Sequence, residues 1–391
     1  MVAKEATGRA KPGRAPAPPG RRGRPRQAEV ARLAGVSQAT VSLVLSGRDI
    51  ATGRPISAET RGKVLEAARS LGYVPDPAAS RLAAARNNLL GVFSFTATFP
   101  TDVRHSYYPF LVGVEQEAAA QGYDLVLFTG SSSGGAGASG AGALNRVRLA
   151  DGCLFLGRHA PADELRRLVA DDFPVVHVGR PDDAEGLAWV GADYVSASRE
   201  VVTTLAGLGH RRVMLVREDD EAPASTDRER GFLDGLSASG LPVGPDAVFR
   251  SGDLRRDLTA GRVRAWLAEG VTAFVAEETD TGTAWRALRA AVDAAGLDCP
   301  GQVSLALLGS PPADLADEPA PMGFDIPRPT LGAEAVRLLA ARVAGEPARG
   351  TLVACAFRPG TTAGPPGRPP GRPLNPRHPP PRTNRTTRGA A

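Results

Sequence analysis

The chain has 391 residues, of which 42% are hydrophobic and 23% charged, and this composition is typical of a globular protein with more than one domain. It contains no run of 18 apolar residues, no apolar N-terminal signal and only three widely separated cysteines, so we expect a cytoplasmic protein without a membrane span, a disulfide or a metal site. The net charge of +5 is unevenly distributed, because residues 1–26 carry eight basic and one acidic side chain whereas residues 89–360 carry 25 basic and 36 acidic ones. The basic front end therefore indicates a polyanionic partner for that part of the chain.

Both ends of the chain are predicted to be disordered. Residues 1–26 are rich in Pro, Gly, Ala and Arg, and residues 361–391 contain nine prolines, six arginines and no acidic residue. Neither segment has the apolar residues that a core needs. The motif RGRPR (22–26) contains Arg24, which either enters an A·T-rich minor groove or meets DNA phosphates without sequence preference. A purely solubilising role is the alternative for both tails.

Three short helices are predicted between residues 27 and 72. The first ends at Gly35, the second begins after an N-cap at Ser37, and the third runs from Ser57 to a C-cap at Gly72. Two helices joined by a tight glycine turn are typical of a helix-turn-helix unit. The apolar side chains predicted to face inward are Val30, Leu33, Ala34, Val41, Val44, Leu45, Val64, Leu65, Ala68 and Leu71.

The outward face of the second helix favours DNA recognition. It carries only short or uncharged side chains, namely Gln38, Ala39, Thr40, Ser42 and Leu43. Such groups fit into a groove of DNA, while the amides and hydroxyls at the start of a helix can hold phosphates. An amphipathic helix pair without a DNA-binding role is the alternative.

From residue 89 onwards, short apolar runs alternate with helical stretches. Short apolar strands separated by helices are typical of parallel sheets covered on both faces, and the number of runs favours two sheets over one. Ligands in such folds bind in a crevice at the carboxyl ends of the strands. The seven predicted strands cover residues 89–95, 123–128, 152–157, 174–179, 212–216, 272–276 and 303–309.

Signals for a cofactor or for catalysis are weak in this sequence. GAGASG (135–140) satisfies the dinucleotide fingerprint, but it lies in a low-complexity run, far from the preceding strand, and no acid closes the next strand. We therefore expect a loop there, and no cofactor. The histidines share no metal-ligand spacing; His210 is interpreted as structural, and His177 faces either the core or the crevice. No arrangement of side chains indicates an enzyme.

Four segments of the chain resemble the lactose-repressor/galactose-repressor family of bacterial transcription regulators. They are AEVARLAGVSQATVSLVLSG (28–47), VLEAARSLGYVPDPAASRLAAAR (64–86), GLGHRRVMLV (207–216) and DRERGF (227–232). The resemblance implies an N-terminal all-α helix-turn-helix domain, a hinge helix, and an α/β effector-binding and dimerisation domain of two Rossmann-like, periplasmic-binding-protein-like lobes. The boundaries that correspond to this plan are a disordered basic arm over 1–26, the helix-turn-helix domain over 27–72 and the hinge helix over 73–88. The two-lobed effector-binding and dimerisation domain covers 89–360, and a disordered tail covers 361–391.

The resemblance also implies which residues meet DNA. Gln38, Ala39 and Leu43 occupy positions that face base edges, although many members carry arginine where Leu43 stands. Leucine cannot form a bidentate contact with guanine but can pack on a thymine methyl group. In the hinge helix, Leu82 corresponds to a wedge in the minor groove; an ordinary linker helix is the alternative. The complete predicted DNA-binding set is Arg24, Ser37, Gln38, Ala39, Thr40, Ser42, Leu43, Ala79 and Leu82.

In the acidic body, the resemblance implies an effector site that includes Phe110, Asp193, Arg228 and Glu278. Arg228 could instead form a surface ion pair with Asp227 or Glu229, and Phe110 could belong to the core. The chain departs from the common family pattern at Gly179, at Glu277–Glu278 and in LLGSPP (307–312), where other members place acidic or amide side chains. These departures put a typical sugar effector in doubt.

Taken together, these features predict a homodimeric transcription regulator that acts as a repressor. We expect it to bind a pseudo-palindromic double-stranded DNA operator and to respond to a small-molecule effector, a sugar or another metabolite. The alternative is a sugar-binding receptor of the periplasmic-binding-protein type without a regulatory role. The absence of a signal peptide and the presence of residues 27–86 argue against that alternative.

Overall fold

A computed structural model describes residues 25–46, 56–74, 87–94, 107–128, 144–158, 162–182, 186–279, 282–312 and 319–367. The chain divides into two compact units, residues 1–87 and 88–391. Arg24 in the basic arm, Ala79 and Leu82 in the predicted hinge helix, and the glycine-rich run 135–140 all lie outside the described residues. Every helix within the described ranges is too short or too polar to span a membrane.

The first unit contains the three predicted helices, α1 (Gln27–Ala34), α2 (Gln38–Ser46) and α3 (Ala58–Leu71). The Ser37 hydroxyl accepts a hydrogen bond of 3.1 Å from the Thr40 amide, and the Ser57 hydroxyl accepts one of 3.2 Å from the Thr60 amide. Both serines therefore cap their helices as the sequence predicts. Helices α1 and α3 each end at a glycine in the left-handed conformation, as predicted.

Two residues predicted to face the core of this unit lie on its surface. Leu33 is 57% exposed and Leu65 is 39% exposed, whereas Ala31 and Ala67 are buried. Small alanines allow α1 and α3 to approach closely, and the larger leucines then fall on the outer edges of the contact. The core consists of Val30, Ala31, Ala34, Val41, Val44, Val64, Ala67 and Ala68.

In the described part of the second unit there are two six-stranded sheets, one in each lobe. The N-terminal sheet has the order β11-β5-β4-β3-β1-β2 and is parallel throughout; the C-terminal sheet has the order β12-β10-β9-β8-β6-β7, with only β12 antiparallel to its neighbour. The strands are β1 (Leu89–Ser94), β2 (Asp124–Phe128), β3 (Gly152–Leu156), β4 (Val175–Val178), β5 (Ala188–Ala192), β6 (Val213–Glu218), β7 (Val248–Ser251), β8 (Ala273–Glu277), β9 (Ser304–Leu308), β10 (Met322–Asp325), β11 (Thr351–Val353) and β12 (Ala356–Arg358).

All seven predicted strands are present, and the prediction of two parallel sheets is confirmed. Strands β5, β7, β10, β11 and β12 were missed because they are short and contain glycine, polar or exposed residues. The helices of this unit are α4 (Tyr107–Ala120), α5 (Ala162–Ala170), α6 (Tyr194–Gly207), α7 (Pro223–Ala238), α8 (Leu254–Asp257), α9 (Ala260–Ala268), α10 (Thr283–Ala294) and α11 (Arg328–Val343).

Over the ranges that the structure describes, the chain crosses between the lobes three times. It leaves the N-terminal lobe at Asp193, returns to it before α11, and leaves it again between β11 and β12. Helix α11 packs on α4 and on the N-terminal sheet, whereas α6 packs on α7 and on the C-terminal sheet. The residues at the three crossings therefore form the hinge of the two-lobed unit.

The tail prediction is wrong for residues 361–367, which pack against the C-terminal lobe. The buried Thr362 hydroxyl donates to the Leu305 carbonyl over 2.6 Å and accepts from the Met322 amide over 3.0 Å. His210 is fully buried, and its Nε2 lies 2.9 Å from the Gly364 carbonyl, in keeping with the predicted structural role. These contacts lie far apart in sequence, so the low-complexity composition of the segment concealed them.

Helices α4 and α11 touch through their backbones. A β-carbon at Gly113 would overlap the Pro329 carbonyl, and one at Gly332 would overlap the Phe110 carbonyl. Only glycine allows this distance between the helices. The contact places the first turn of α4 beside the first turn of α11, where both helices border the gap between the lobes.

We expect Gly113→Ala to lower the unfolding free energy of the second unit by about 1–3 kcal/mol, because the added methyl group meets a rigid backbone carbonyl. Thermal unfolding followed by circular dichroism measures the change. The matched control is Gly261→Ala in α9, where the nearest atom is 3.8 Å away and no loss is expected. Equal melting temperatures for both variants would show that α4 and α11 can separate freely.

Candidate functional site

The carboxyl ends of strands from both lobes surround a cavity that is partly open to solvent. This is the position that the alternating strand pattern predicts for a ligand. Its apolar walls include Tyr107, Phe110, Leu156, Val178, Val190, Tyr194 and Leu331, and its charged residues are Arg158, Arg180, Asp227, Arg228, Glu278 and Arg328. We call this cavity the interlobe cleft.

Arg228 lines the interlobe cleft and is held on several sides. Its Nε donates to the Leu308 carbonyl over 2.8 Å, one Nη donates to the Ala224 carbonyl over 3.0 Å, and the other lies 3.1 Å from Glu278 Oε2. The guanidinium also stacks 3.9 Å from the centre of the Tyr194 ring. Arg228 is therefore a buried residue of the cleft, and the alternative of a surface ion pair with Asp227 or Glu229 is wrong.

Glu278 binds two arginines at once. Its Oε2 contacts Arg228, and its Oε1 accepts a hydrogen bond of 2.6 Å from Arg328. All three side chains are close to nine-tenths buried or more. The Glu278 carboxylate thus joins the floor of the cleft to the first turn of α11.

Two further ion pairs cross the cleft. Arg180 forms a bidentate pair with Asp227, with distances of 2.7 and 2.8 Å. The hydrogen bonds that Arg180 donates to the Asp227 carboxylate hold the pKa of Arg180 above its usual range. Arg158 pairs with Asp220 and donates to the Ser225 hydroxyl over 3.1 Å.

Phe110, at the start of α4, has both of the roles considered from the sequence, one in the cleft and one in the core. Phe110 and Tyr107 line the cleft and also pack in the core, with their ring centres 6.4 Å apart. Tyr108 points away and is 61% exposed. The cleft gains a third aromatic residue in Tyr194, whose pKa is raised by burial.

Asp193 does not line the cleft. Its carboxylate accepts a hydrogen bond of 3.0 Å from the Ser196 amide, and its own amide donates to the Val353 carbonyl over 2.9 Å. Asp193 therefore caps α6 and fixes β11 at two of the lobe crossings. These contacts give Asp193 a structural role at the hinge, between the cleft-lining residues Ala192 and Tyr194, and its contact with an effector stays a prediction.

His177 combines the two positions that the sequence left open. It is 2% exposed and yet lines the cleft. Its Nδ1 donates to the Gly179 carbonyl, 2.8 Å away, which leaves Nε2 as an acceptor. Burial lowers the pKa of His177, so the ring is neutral at neutral pH.

The departures from the family pattern have different consequences. Glu278 supplies a carboxylate to the cleft, whereas Glu277 is buried behind it, 3.9 Å from Arg217, and burial raises its pKa. Gly179 has no side chain to offer, but Asp227 provides a carboxylate on the opposite wall. Acidic groups are therefore present in the cleft at positions other than the expected ones.

Several residues of the cleft were missed from the sequence. Arg158 and Arg180 directly follow predicted strands, so the rule that ligands meet the carboxyl ends of strands was sufficient to find them. Arg328 follows β10, which no pattern predicted. Tyr194 and Asp227 lie on helices, and only the approach of the lobes brings them to the cleft.

In the first unit, α2 has the surface that the sequence predicts. Gln38, Ala39 and Ser42 are exposed, Thr40 and Leu43 are half-buried, and Val41 and Val44 lie in the core. The helix carries no charged side chain. Its outward face can therefore form neutral hydrogen bonds and apolar contacts, and its capped N-terminus can attract an anion.

Residues 28–76 match the family described as bacterial regulatory proteins, lacI family, and residues 202–359 match a periplasmic binding protein-like domain. The HTH-type transcriptional regulator CelR of Thermobifida fusca is 30% identical over 333 residues, which cover 83% of this chain and 94% of CelR. The chain belongs to the lacI family of bacterial regulatory proteins. It is a DNA-binding transcription regulator rather than an enzyme, and the match over its N-terminal helices favours this role over that of a receptor.

Solved structures of lacI-family proteins share the fold. The structure titled as a CelR–cellobiose complex has a TM-score of 0.56 and 24% identity, and the match covers 87% of this chain and all (100%) of that chain. The lac repressor dimer bound to operator and the anti-inducer ONPF has a TM-score of 0.65 and 20% identity, with coverages of 86% and 98%. These matches confirm the predicted fold class.

We expect Glu278→Gln to lower the unfolding free energy of the second unit by about 3–5 kcal/mol, because it leaves two buried arginines without their carboxylate. Urea unfolding followed by tryptophan fluorescence reports this unit alone, since Trp189, Trp266 and Trp285 all lie in it. The control is Glu334→Gln, which removes a half-exposed pair with Arg337 and should change the free energy by less than about 0.5 kcal/mol. Equal effects of the two variants would contradict the central role of Glu278.

Proposed function

We propose that this regulator acts in the cytoplasm as a homodimer, binds a pseudo-palindromic operator and represses transcription under the control of a small-molecule effector. The observation that carries the proposal is the combination, in one chain, of a capped and uncharged helix α2 with a two-lobed unit that encloses a cleft. A symmetric dimer presents two such helices and therefore requires two half-sites about one helical turn apart. The lac repressor structure named above, a dimer bound to its operator, supports the same arrangement here.

We assign the reading of bases to Gln38, Ala39 and Leu43, and the holding of phosphates to Ser37, Thr40 and Ser42. The side chains of Gln38 and Ala39 are exposed on the first turn of α2, where a recognition helix contacts base edges. Leu43 is half-buried one turn later and offers an apolar contact for a thymine methyl group. Because α2 has no charge, the electrostatic part of the binding falls to its basic flanks. Arg24, Ala79 and Leu82 keep their predicted roles at the minor groove as part of this proposal.

We expect Gln38→Ala to weaken binding to the operator by about 1–3 kcal/mol, the contribution of one bidentate contact with a base. Fluorescence anisotropy with DNA from upstream of the protein's own gene, compared with a scrambled fragment, measures both affinity and specificity. Gln121→Ala, in the second unit, is the control and should bind both fragments like the wild type. If the wild type binds the two fragments equally, the operator proposal fails.

The cleft favours a neutral effector rich in hydroxyl groups. Its charged groups are already paired: Arg180 with Asp227 at one end, and Arg228 and Arg328 with Glu278 at the other. An ion would have to displace one of these partners, whereas a hydroxyl group can donate to the acid and accept from the arginine. Between the two ends, Tyr107, Phe110 and several aliphatic side chains offer apolar surface for the C–H face of a sugar ring. The bound cellobiose named in the CelR structure title supports a saccharide.

We expect a neutral disaccharide to raise the melting temperature of the second unit, by an amount that corresponds to about 2.7 kcal/mol at a hundredfold excess over the dissociation constant. Differential scanning fluorimetry with cellobiose and maltose as neutral probes, and with glucose 6-phosphate and glutamate as charged probes, makes the comparison. Stabilisation by the charged probes alone would contradict the assignment of a neutral effector and would leave the operator proposal intact.

A further inference from the structure

Among the residues that the structure describes, three ion pairs join the two lobes across the interlobe cleft, and all three have the same polarity. The N-terminal lobe supplies Arg158 after β3, Arg180 after β4 and Arg328 at the start of α11. The C-terminal lobe supplies Asp220, Asp227 and Glu278, respectively. We call these contacts the interlobe ion pairs.

The geometry of these pairs is that of strong, directional contacts. Arg180 and Asp227 form a two-bond fork, and the Arg328–Glu278 bond measures 2.6 Å. The six side chains are between about one tenth and one third exposed. Because the pairs are still partly exposed at this depth, molar salt weakens them. The bidentate fork fixes the relative orientation of the two lobes that it joins.

Opening the cleft would break all three contacts together, because each pair has one partner on each lobe. Ion pairs within one lobe do not depend on closure; Arg148–Asp171 and Arg166–Asp163 both lie in the N-terminal lobe. One wall of the cleft is therefore basic where the other is acidic, and the two walls attract each other at three separate points. The attraction needs no bound molecule.

We infer that the interlobe ion pairs hold the two lobes closed in the absence of effector. The effector then enters a cleft whose charged side chains already stand in their bound positions, which reduces the ordering cost of binding. The three pairs determine what fraction of the protein is closed. This fraction in turn determines how strongly the protein regulates transcription before any effector binds. Arg228 takes part indirectly, because Glu278 holds it in the cleft and also holds Arg328 on the other lobe.

This inference goes beyond the proposed function, since it concerns the protein without effector and without DNA. Hydroxyl-radical footprinting with mass spectrometry on the full chain tests it. Phe110 and Tyr194 in the cleft report opening, Tyr108 reports a side chain that is exposed throughout, and Phe155 in the core reports folding.

We expect Asp220→Asn/Asp227→Asn to increase the oxidation of Phe110 and Tyr194 about fivefold relative to Tyr108, because two of the three contacts lose their charge with no change in side-chain size. Phe155 should stay protected. The matched control is Asp163→Asn/Asp171→Asn, which removes two arginine–aspartate pairs inside one lobe and should leave the cleft residues unchanged.

A second measurement uses the wild type alone. Raising the KCl concentration from 0.05 to 1 M weakens ion pairs, since the screening length falls to about 3 Å at 1 M. We expect the oxidation of Phe110 and Tyr194 to rise with salt while that of Phe155 does not. Oxidation that is independent of salt, or that rises equally in both double variants, would overturn the inference even if a variant folds poorly.

Discussion

A charged side chain that leaves water needs a partner, and this constraint determines the composition of the interlobe cleft. The parallel strands of both sheets end at the cleft, and several of them are followed directly by charged residues, such as Arg158, Arg180 and Glu278. When the lobes approach, each of these groups meets an opposite charge instead of water. Glu278 shows the constraint most clearly, because its single carboxylate is shared by two buried arginines from different parts of the chain.

The same constraint separates the tasks of the two units. Helix α2 carries no charge at all, so its outward face can approach base edges without bringing an unpaired ion into a groove. The acidic excess lies in residues 89–360, where it keeps the second unit from attracting DNA phosphates. The basic N-terminal segment thus suits the binding of DNA, and the acidic second unit suits the binding of a small molecule away from DNA.

The close approach of α4 and α11 connects packing with the site. Gly113 and Gly332 let the two helices touch through their backbones, and the same contact fixes Phe110 and Arg328 at the cleft. Because α11 begins directly after a lobe crossing, the Arg328–Glu278 pair joins the two lobes beside the hinge. The packing of α4 on α11 therefore positions residues both at the hinge and in the interlobe cleft.

Local patterns in the sequence were enough to predict the three N-terminal helices with their caps, the seven most apolar strands and the end of the sheets at which the cleft lies. These features depend on periodicity and on the conformational preferences of single residues, which a short stretch of chain determines by itself. Phe110, Arg228 and Glu278, which the family resemblance implied, line the cleft, whereas Asp193 caps a helix at a lobe crossing beside it.

Only the tertiary structure decided which groups meet. The partner of Arg228 is not its neighbour Asp227 but Glu278, 50 positions along the chain, because α7 lies against the end of β8. Residues 361–367 fold because Thr362 and Gly364 find hydrogen-bond partners on β9 and β10 and on His210. Strand order, helix contacts and the closure of the lobes bring these groups together, and none of the three is encoded in a local pattern.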